Sequence, residues 1–232
     1  MKDKISIFLP TRKNSERVVN KNTRDFAGIK GGLLKIKLDE LLKINGIDEI
    51  ILSTNDEESI LVASGFNDPK LKIIRRPDRL CLSETKLSDL ISYVPSIIHN
   101  EIIMWVHVTS PFLTHRDYEK ALSVFIENLE SKTSDSMASV TKIQQYIWDN
   151  EYKKMINFDM SNGNWPRTQD LKSLYQINNG FFISIRENYI KLNNRVGPNM
   201  SIYELDKIKE FDIDWEDDFM LAEIIYKSMH KL

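Results

Sequence analysis

The sequence has a single cysteine, Cys81, among 232 residues, so no internal disulfide can form and the thiol is expected as a packed side chain in a reducing cytoplasm. Its four histidines are too few for a zinc cluster. No G-x-x-x-x-G-K-[ST] run occurs, which excludes a Walker-type phosphate loop. No stretch approaches the roughly 18–20 apolar residues that a membrane-spanning helix needs. The apolar run at residues 5–9 is too short for the core of a secretion signal. A net charge of −2 gives no broad field for nucleic acid or an anionic membrane. Internal repeats, low-complexity tracts and separating linkers are missing too, so residues 1–232 are expected to form one domain.

What is present suits a globular chain with a well-buried core: 41 % hydrophobic and 28 % charged residues. The charges are unevenly spread. Arg12, Lys13, Arg17, Lys21 and Arg24 are opposed in their segment only by Glu16, a local cluster suited to a small anionic ligand. Residues 5–9 read as a strand buried on both faces, and the leucines and isoleucine of residues 33–42 recur at helical spacing before an Asn45–Gly46 stop. Further strands are predicted at 49–53, 71–74, 102–108, 137–140 and 181–185. A capping box at 54–57 predicts a helix opening behind Thr54 and running to about 64, and further helices are predicted at 86–98, 117–129 and 217–229. This alternation predicts an α/β fold of three layers with a mainly parallel sheet. Between 141 and 178 the pattern turns polar and irregular, as in a flexible lid or an inserted β-rich arm that packs on a partner subunit.

Four segments carry candidate chemistry. The loop of residues 9–22 follows the first strand, where open α/β sheets bind ligands, and its Arg, Lys and small polar residues can wrap a triphosphate. In Phe211-Asp212-Ile213-Asp214, a strand would turn both carboxylates to one side and Ile213 to the core, a pair of hard oxygen ligands suited to Mg²⁺. His107, in Val106-His107-Val108-Thr109-Ser110-Pro111, can touch a ligand or simply pack. Arg167-Thr168-Gln169-Asp170 precedes Asn178-Asn179-Gly180-Phe181-Phe182-Ile183, where a turn feeding a strand accounts for the Asn-Gly pair. Each segment alone is equally compatible with a plain structural role.

Taken in order, the segments resemble the acylneuraminate cytidylyltransferase family, over nearly the whole chain. The residues that carry the likeness are Pro10, Arg12, Ser15 and Lys21-Asn22; Arg76-Pro77 with Ser88; residues 107–111; Arg167-Thr168-Gln169-Asp170; residues 179–183; and Asp212-Ile213-Asp214 with Asp218. The chain departs from the family pattern with Asn14 for Gly, Glu16 for Lys and His107-Val108 for Gln-Pro. The resemblance implies a Rossmann-like nucleotidyltransferase fold and a homodimer in which 141–178 is the dimerisation arm. It implies a Mg²⁺-dependent reaction of CTP with an acidic, sialic-acid-like sugar. Arg12, Ser15 and Lys21 would hold the triphosphate, with Arg12, Lys21 and Asp214 central to catalysis. Asn22, Arg76 and Ser88 would hold cytidine, His107, Arg167, Gln169 and Asn179 would line the sugar pocket, and Asp212 and Asp214 would bind the metal. A protonated His107 would add charge toward the sugar's carboxylate.

Three alternatives compete. A CMP-Kdo synthetase carries a carboxylate in a G-D-x-P turn where this chain has Thr109-Ser110-Pro111. A metal-dependent glycosyltransferase also uses D-x-D, but has no need of a basic loop for a third phosphate. A nucleotide-binding module without turnover is suggested by Asn14 and Glu16.

Overall fold

Alternation of apolar strands and one-sided helices builds a single seven-stranded sheet in the computed structural model, which describes residues 4–13, 17–161 and 163–231. The elements run β1 (Ile5–Pro10), α1 (Gly32–Leu41), β2 (Glu49–Thr54), α2 (Glu57–Ser64), β3 (Leu71–Arg75), α3 (Leu87–Ile97), β4 (Ile102–Val106) and α4 (His115–Glu130). Then follow β5 (Ser136–Ile143), β6 (Trp148–Asp149), β7 (Lys154–Met155), β8 (Leu174–Ile185), α5 (Arg186–Leu192), β9 (Met200–Glu204) and α6 (Glu216–His230). The strand order is β3-β2-β1-β4-β8-β5-β9. Its pairs are parallel except those of β8, which runs antiparallel to β4 and β5.

The side-chain period of two splits each central strand between two cores. Ile5, Ile7 and Leu9 of β1 and Ile102, Met104 and Val106 of β4 pack with α1, α4 and α6. Phe8, Ile103 and Trp105 point the other way, into a smaller core closed by Ile91 and Val94 of α3 and Tyr189 of α5. The expected three-layer, mainly parallel α/β fold is therefore present. At the start of α1, Gly32 has φ +54°, and a Cβ there would lie 2.0 Å from the Arg24 carbonyl oxygen. Only glycine lets the basic loop return this close to the helix.

Several local expectations need correction. Thr54 ends β2, and the cap of α2 is Asp56, whose carboxylate accepts from the Ser59 amide. The helical turn starts two residues later than the Thr-x-x-Glu spacing suggests because strand pairing claims Thr54 first. Residues 211–214 are not a strand. Asn179-Gly180 is not a turn but lies inside β8, beside an irregularity in its pairing with β5. There Ser139 Oγ donates to Asn178 Oδ1 and accepts from the Phe181 amide at 3.0 Å, and side-chain volume at Gly180 would meet it. The kink marks where β8 leaves the core. Beyond it, β5 and β8 stay paired as far as Ile143 and Leu174, carrying a stalk that ends in the small β6–β7 hairpin and a 3-10 turn at Thr168–Asp170.

Candidate active site

A parallel sheet in which β1 pairs β2 on one side and β4 on the other opens a crevice at the strands' carboxyl ends, where the connections diverge. A cavity of about 390 Å³ occupies that crevice, lined among others by Thr11, Arg12, Arg17, Lys21, Arg76 and His107. A larger cleft of about 790 Å³ lies at the root of the stalk, between Thr141–Gln145 and Glu204–Glu210. The smaller one concentrates the basic side chains, and its wall carries three buried polar atoms without partners, Thr11 Oγ1, Arg76 Nη1 and His107 Nε2.

The basic residues are held from different directions. Val18, fully buried, anchors the loop after β1. Arg12 Nη1 donates to the Cys81 carbonyl at 3.3 Å. Arg76 is 3 % exposed and donates to the Thr11 carbonyl and to Cys81 Sγ, so it is a buried cation with no carboxylate beside it among these bonds. Asn22 is buried in the same wall. Lys21 Nζ donates to the Ile213 carbonyl at 2.6 Å, which ties the basic loop to the acidic segment. Burial lowers the Lys21 ammonium's pKa below its usual range, against the pull of Asp214 and Asp212.

The acidic segment is a loop, and its geometry comes from its neighbours rather than from a strand. Ile213 is fully buried and its amide donates to the Thr109 carbonyl at 2.9 Å. Asp218, in the first turn of α6, accepts from the amides of Asp214 and Trp215 at 3.0 and 2.7 Å. Asp212 Oδ2 accepts from Asn179 Nδ2 at 3.2 Å, while Oδ1 is buried without a partner. Asp214 Oδ1 pairs with Arg17 at 2.8 Å, and Arg17 also lies over the Trp215 ring. One orphaned carboxylate oxygen beside a second, half-exposed carboxylate is a donor set that fits a hard divalent cation completed by phosphate and water. Among the described residues, no cluster of three or more His, Cys, Asp or Glu side chains suits a metal.

His107 follows β4 on the same face as Trp105 and stacks on it, ring centroids 6.2 Å apart. Burial above all, then Arg195, Lys37 and Lys21, lowers its pKa to about 3. The ring is therefore neutral near pH 7, which corrects the expectation of a charged imidazole facing the sugar acid. Lys37 was missed by the sequence reading, although it sits within the apolar run Leu33, Leu34, Ile36, Leu38, Leu41. It is buried, and Nζ donates to the Ser110 carbonyl at 2.7 Å and bonds the Tyr118 hydroxyl at 2.6 Å. Burial lowers its pKa to about 7. Lys37 thus fixes the turn after His107 from below, while Ser110 Oγ and the Thr109 carbonyl tie that turn to Asn179 and Ile213.

The remaining sequence-derived candidates are scattered. Ser88 is exposed in the first turn of α3 and is not among the cavity's lining residues. Arg167 and Gln169 lie on the stalk's 3-10 turn, where Arg167 pairs with Asp170 at 2.8 Å, and neither lines the cavity of its own chain. Ser15, with Asn14 and Glu16, lies outside the described residues.

Comparison with known proteins places this geometry. A family model described as cytidylyltransferase matches residues 6–232. The chain is 27 % identical over 229 residues to a pseudaminic acid cytidylyltransferase of Campylobacter jejuni subsp. jejuni serotype O:23/36, covering 97 % of both chains. It is 23 % identical to the N-acylneuraminate cytidylyltransferase of Escherichia coli O18:K1:H7, covering all of this chain and 54 % of that one. Among solved structures, a CMP:2-keto-3-deoxy-manno-octonic acid synthetase complexed with CTP superposes with TM-score 0.67 at 14 % identity, over 97 % of this chain and 99 % of that one. A 4-diphosphocytidyl-2C-methyl-D-erythritol synthase from Anaerococcus prevotii gives 0.65 at 14 % identity, over 97 % and 96 %. At such identities these two show the shared fold alone.

Proposed function

The chain belongs to the cytidylyltransferase family, and we propose that it couples CTP to an acidic sugar of the pseudaminic or sialic type, giving the CMP-sugar and pyrophosphate. The observation that carries this reading is the crevice itself: Arg12, Arg17, Lys21 and Arg76 line it together, and Arg17 and Lys21 bond the Asp212–Asp214 loop. Full-length similarity to a pseudaminic acid cytidylyltransferase directs it to an acid sugar. The anomeric hydroxyl of the sugar gives up its proton to solvent as its oxygen forms a bond to the α-phosphorus of CTP. The bond from that phosphorus to the oxygen bridging the β-phosphate breaks, and pyrophosphate leaves. The protein's part is to align the two reactants and offset phosphate charge. Arg12 and Lys21 reach the triphosphate, Asn22 and Arg76 the cytidine half, and Asn179 orients Asp212. Asp212 and Asp214 would hold Mg²⁺, which neutralises phosphate oxygens when bound.

Support for a homodimer comes from the stalk of residues 141–178, which leaves Trp148, Tyr152, Ile156 and Trp165 exposed and carries Arg167 and Gln169 away from their own cavity. A second copy covering those rings would bring the two polar side chains to its own site. Use of CTP puts the reaction in the cytoplasm, and no helix among the described residues is long and apolar enough to cross a membrane.

The test is pyrophosphate release with CTP, Mg²⁺ and a panel of pseudaminic, legionaminic and sialic acids and Kdo. Nonulosonates should exceed Kdo in kcat/KM by roughly tenfold or more, about 1.4 kcal/mol of discrimination. Faster turnover of Kdo than of every nonulosonate would overturn the sugar assignment.

A further inference from the structure

The carboxylate of an acid sugar needs a cation or several hydrogen-bond donors where it is removed from water. His107 is neutral, and Arg167 is on the stalk, paired with Asp170. Behind His107, however, stands a second basic residue. The Arg195 guanidinium, from the loop after α5, lies 3.6 Å from the Phe182 ring centroid and 5.2 Å from that of Trp105. Burial lowers its pKa to about 10, and Tyr189 is its one charge partner of note. No ion pair or hydrogen bond engages this guanidinium among the described residues, although it is partly buried.

Its surroundings hold unpaired polar atoms. Trp105 Nε1, the Tyr189 hydroxyl and His107 Nε2 are all buried without a hydrogen-bond partner. Trp105 and Tyr189 belong to one packed core with Phe182, and His107 stacks on Trp105 while lining the cavity with its other side. Native proteins leave few buried polar groups unpaired. Here the indole and hydroxyl groups stand idle beside a cation that cannot lose its proton at neutral pH. A guanidinium stacked on a ring keeps its in-plane N–H groups free, the edge that meets a carboxylate in a two-point contact. A water molecule could accept one or two of these bonds but would leave the charge uncompensated.

We propose that Arg195, with Trp105, Tyr189 and His107, forms the seat for the carboxylate of the sugar acid, reached from the CTP crevice past His107, and that Arg195 is its specificity-determining residue. This rests on the cytidylyltransferase reading given above. It assigns the acid to this chain's own core face rather than to the stalk.

Kinetics with pseudaminic acid and CTP test it. Arg195→Met should raise KM for the sugar by about tenfold or more while KM for CTP stays within about twofold, and Arg195→Lys should recover part of the loss. The wild-type preference for pseudaminic acid over its C1 carboxamide should vanish in Arg195→Met. An unchanged sugar KM in a folded variant, an equal loss for CTP, or an undiminished preference for the acid would overturn the seat while leaving the enzyme class standing. Absence of wild-type turnover with every acid sugar would instead remove the reading beneath it, and the seat with it. Should Arg195→Met not fold, the unmutated protein still decides. The indole N–H resonance of Trp105, assigned by Trp105→Phe, should shift when pseudaminic acid is added and not when CTP is added. No shift at saturation sinks the seat.

Discussion

At the scale of single residues, the site is shaped by side chains whose ionisation the interior has altered. Lys37 and Lys21 are lowered by burial, the first to about 7, and His107 falls to about 3. The histidine gives the cleaner test because it lacks the hydrogen bonds that a substitution of Lys37 would also break. Its folded pKa of about 3 lies below the ordinary 6.5, so between those values the unfolded chain takes up a proton that the native state refuses. The neutral ring's contribution to stability is thus complete above pH 6.5 and is lost as pH falls toward 3. By pH 5 the loss reaches on the order of 2 kcal/mol. His107→Gln should therefore gain on the wild type in melting temperature as pH drops from 7.5 to 5. A difference that stays constant over that range would mean that His107 titrates normally. For the same reason, kcat/KM for the sugar should show no step between pH 6 and 8 that His107→Gln removes.

At the scale of elements, the loop of residues 211–214 carries the two proposed metal ligands, and its shape is not encoded by its own sequence pattern. Its alternating acid-apolar-acid pattern suggested a strand, and the apolar residue is indeed buried. Yet no neighbouring strand pairs with it. Its shape comes from Thr109, Lys21 and Asp218, contacts far apart in sequence that no local pattern encodes. Asp214→Ala should lower kcat by roughly 10²–10³-fold at saturating Mg²⁺, and Asp212→Ala should also cripple it, in line with losing one electrostatic stabiliser of the transferring phosphate. Calorimetry should still detect weak CTP binding through Arg12 and Lys21. Wild-type kcat in Asp214→Ala would remove the acidic loop from the mechanism. Elsewhere, strong apolar patterning made β1, β2, α1, α4 and α6 legible, because their burial is set within the segment itself. The short α5 and β9 were not, since Met200–Glu204 has only intermediate and exposed positions and becomes a strand by pairing with β5. Arg195 carried no signal at all: its partners are rings from β4 and β8, assembled by the fold alone.

At the scale of the whole molecule, the question is why the chain sends out a long stalk beside its basic crevice. The stalk gathers Tyr146, Phe158 and Trp165, with Tyr146 edge to face on the other two and centroids 5.1 to 5.7 Å apart. It leaves Tyr152 67 % and Trp165 61 % exposed, more apolar ring surface than isolated loops usually show water. In the proposed two-fold dimer each stalk would cover the same face of its partner, and Arg167 of one copy would serve the other's crevice. This arrangement makes a prediction that no monomeric enzyme satisfies. Arg167→Ala and Asp214→Ala should each be nearly inactive alone. Mixed in equal amounts and allowed to exchange, they should recover about a quarter of wild-type activity, since half the dimers are mixed and one of their two sites has both residues intact. The intact site pairs Asp214 from the Arg167→Ala chain with Arg167 from the other. If Arg167 acted within its own chain, each site of the mixed dimer would lack one residue and mixing would restore nothing. Light scattering of the same samples at micromolar concentration must show dimers, and a monomer there would remove the arm from the partner's site altogether.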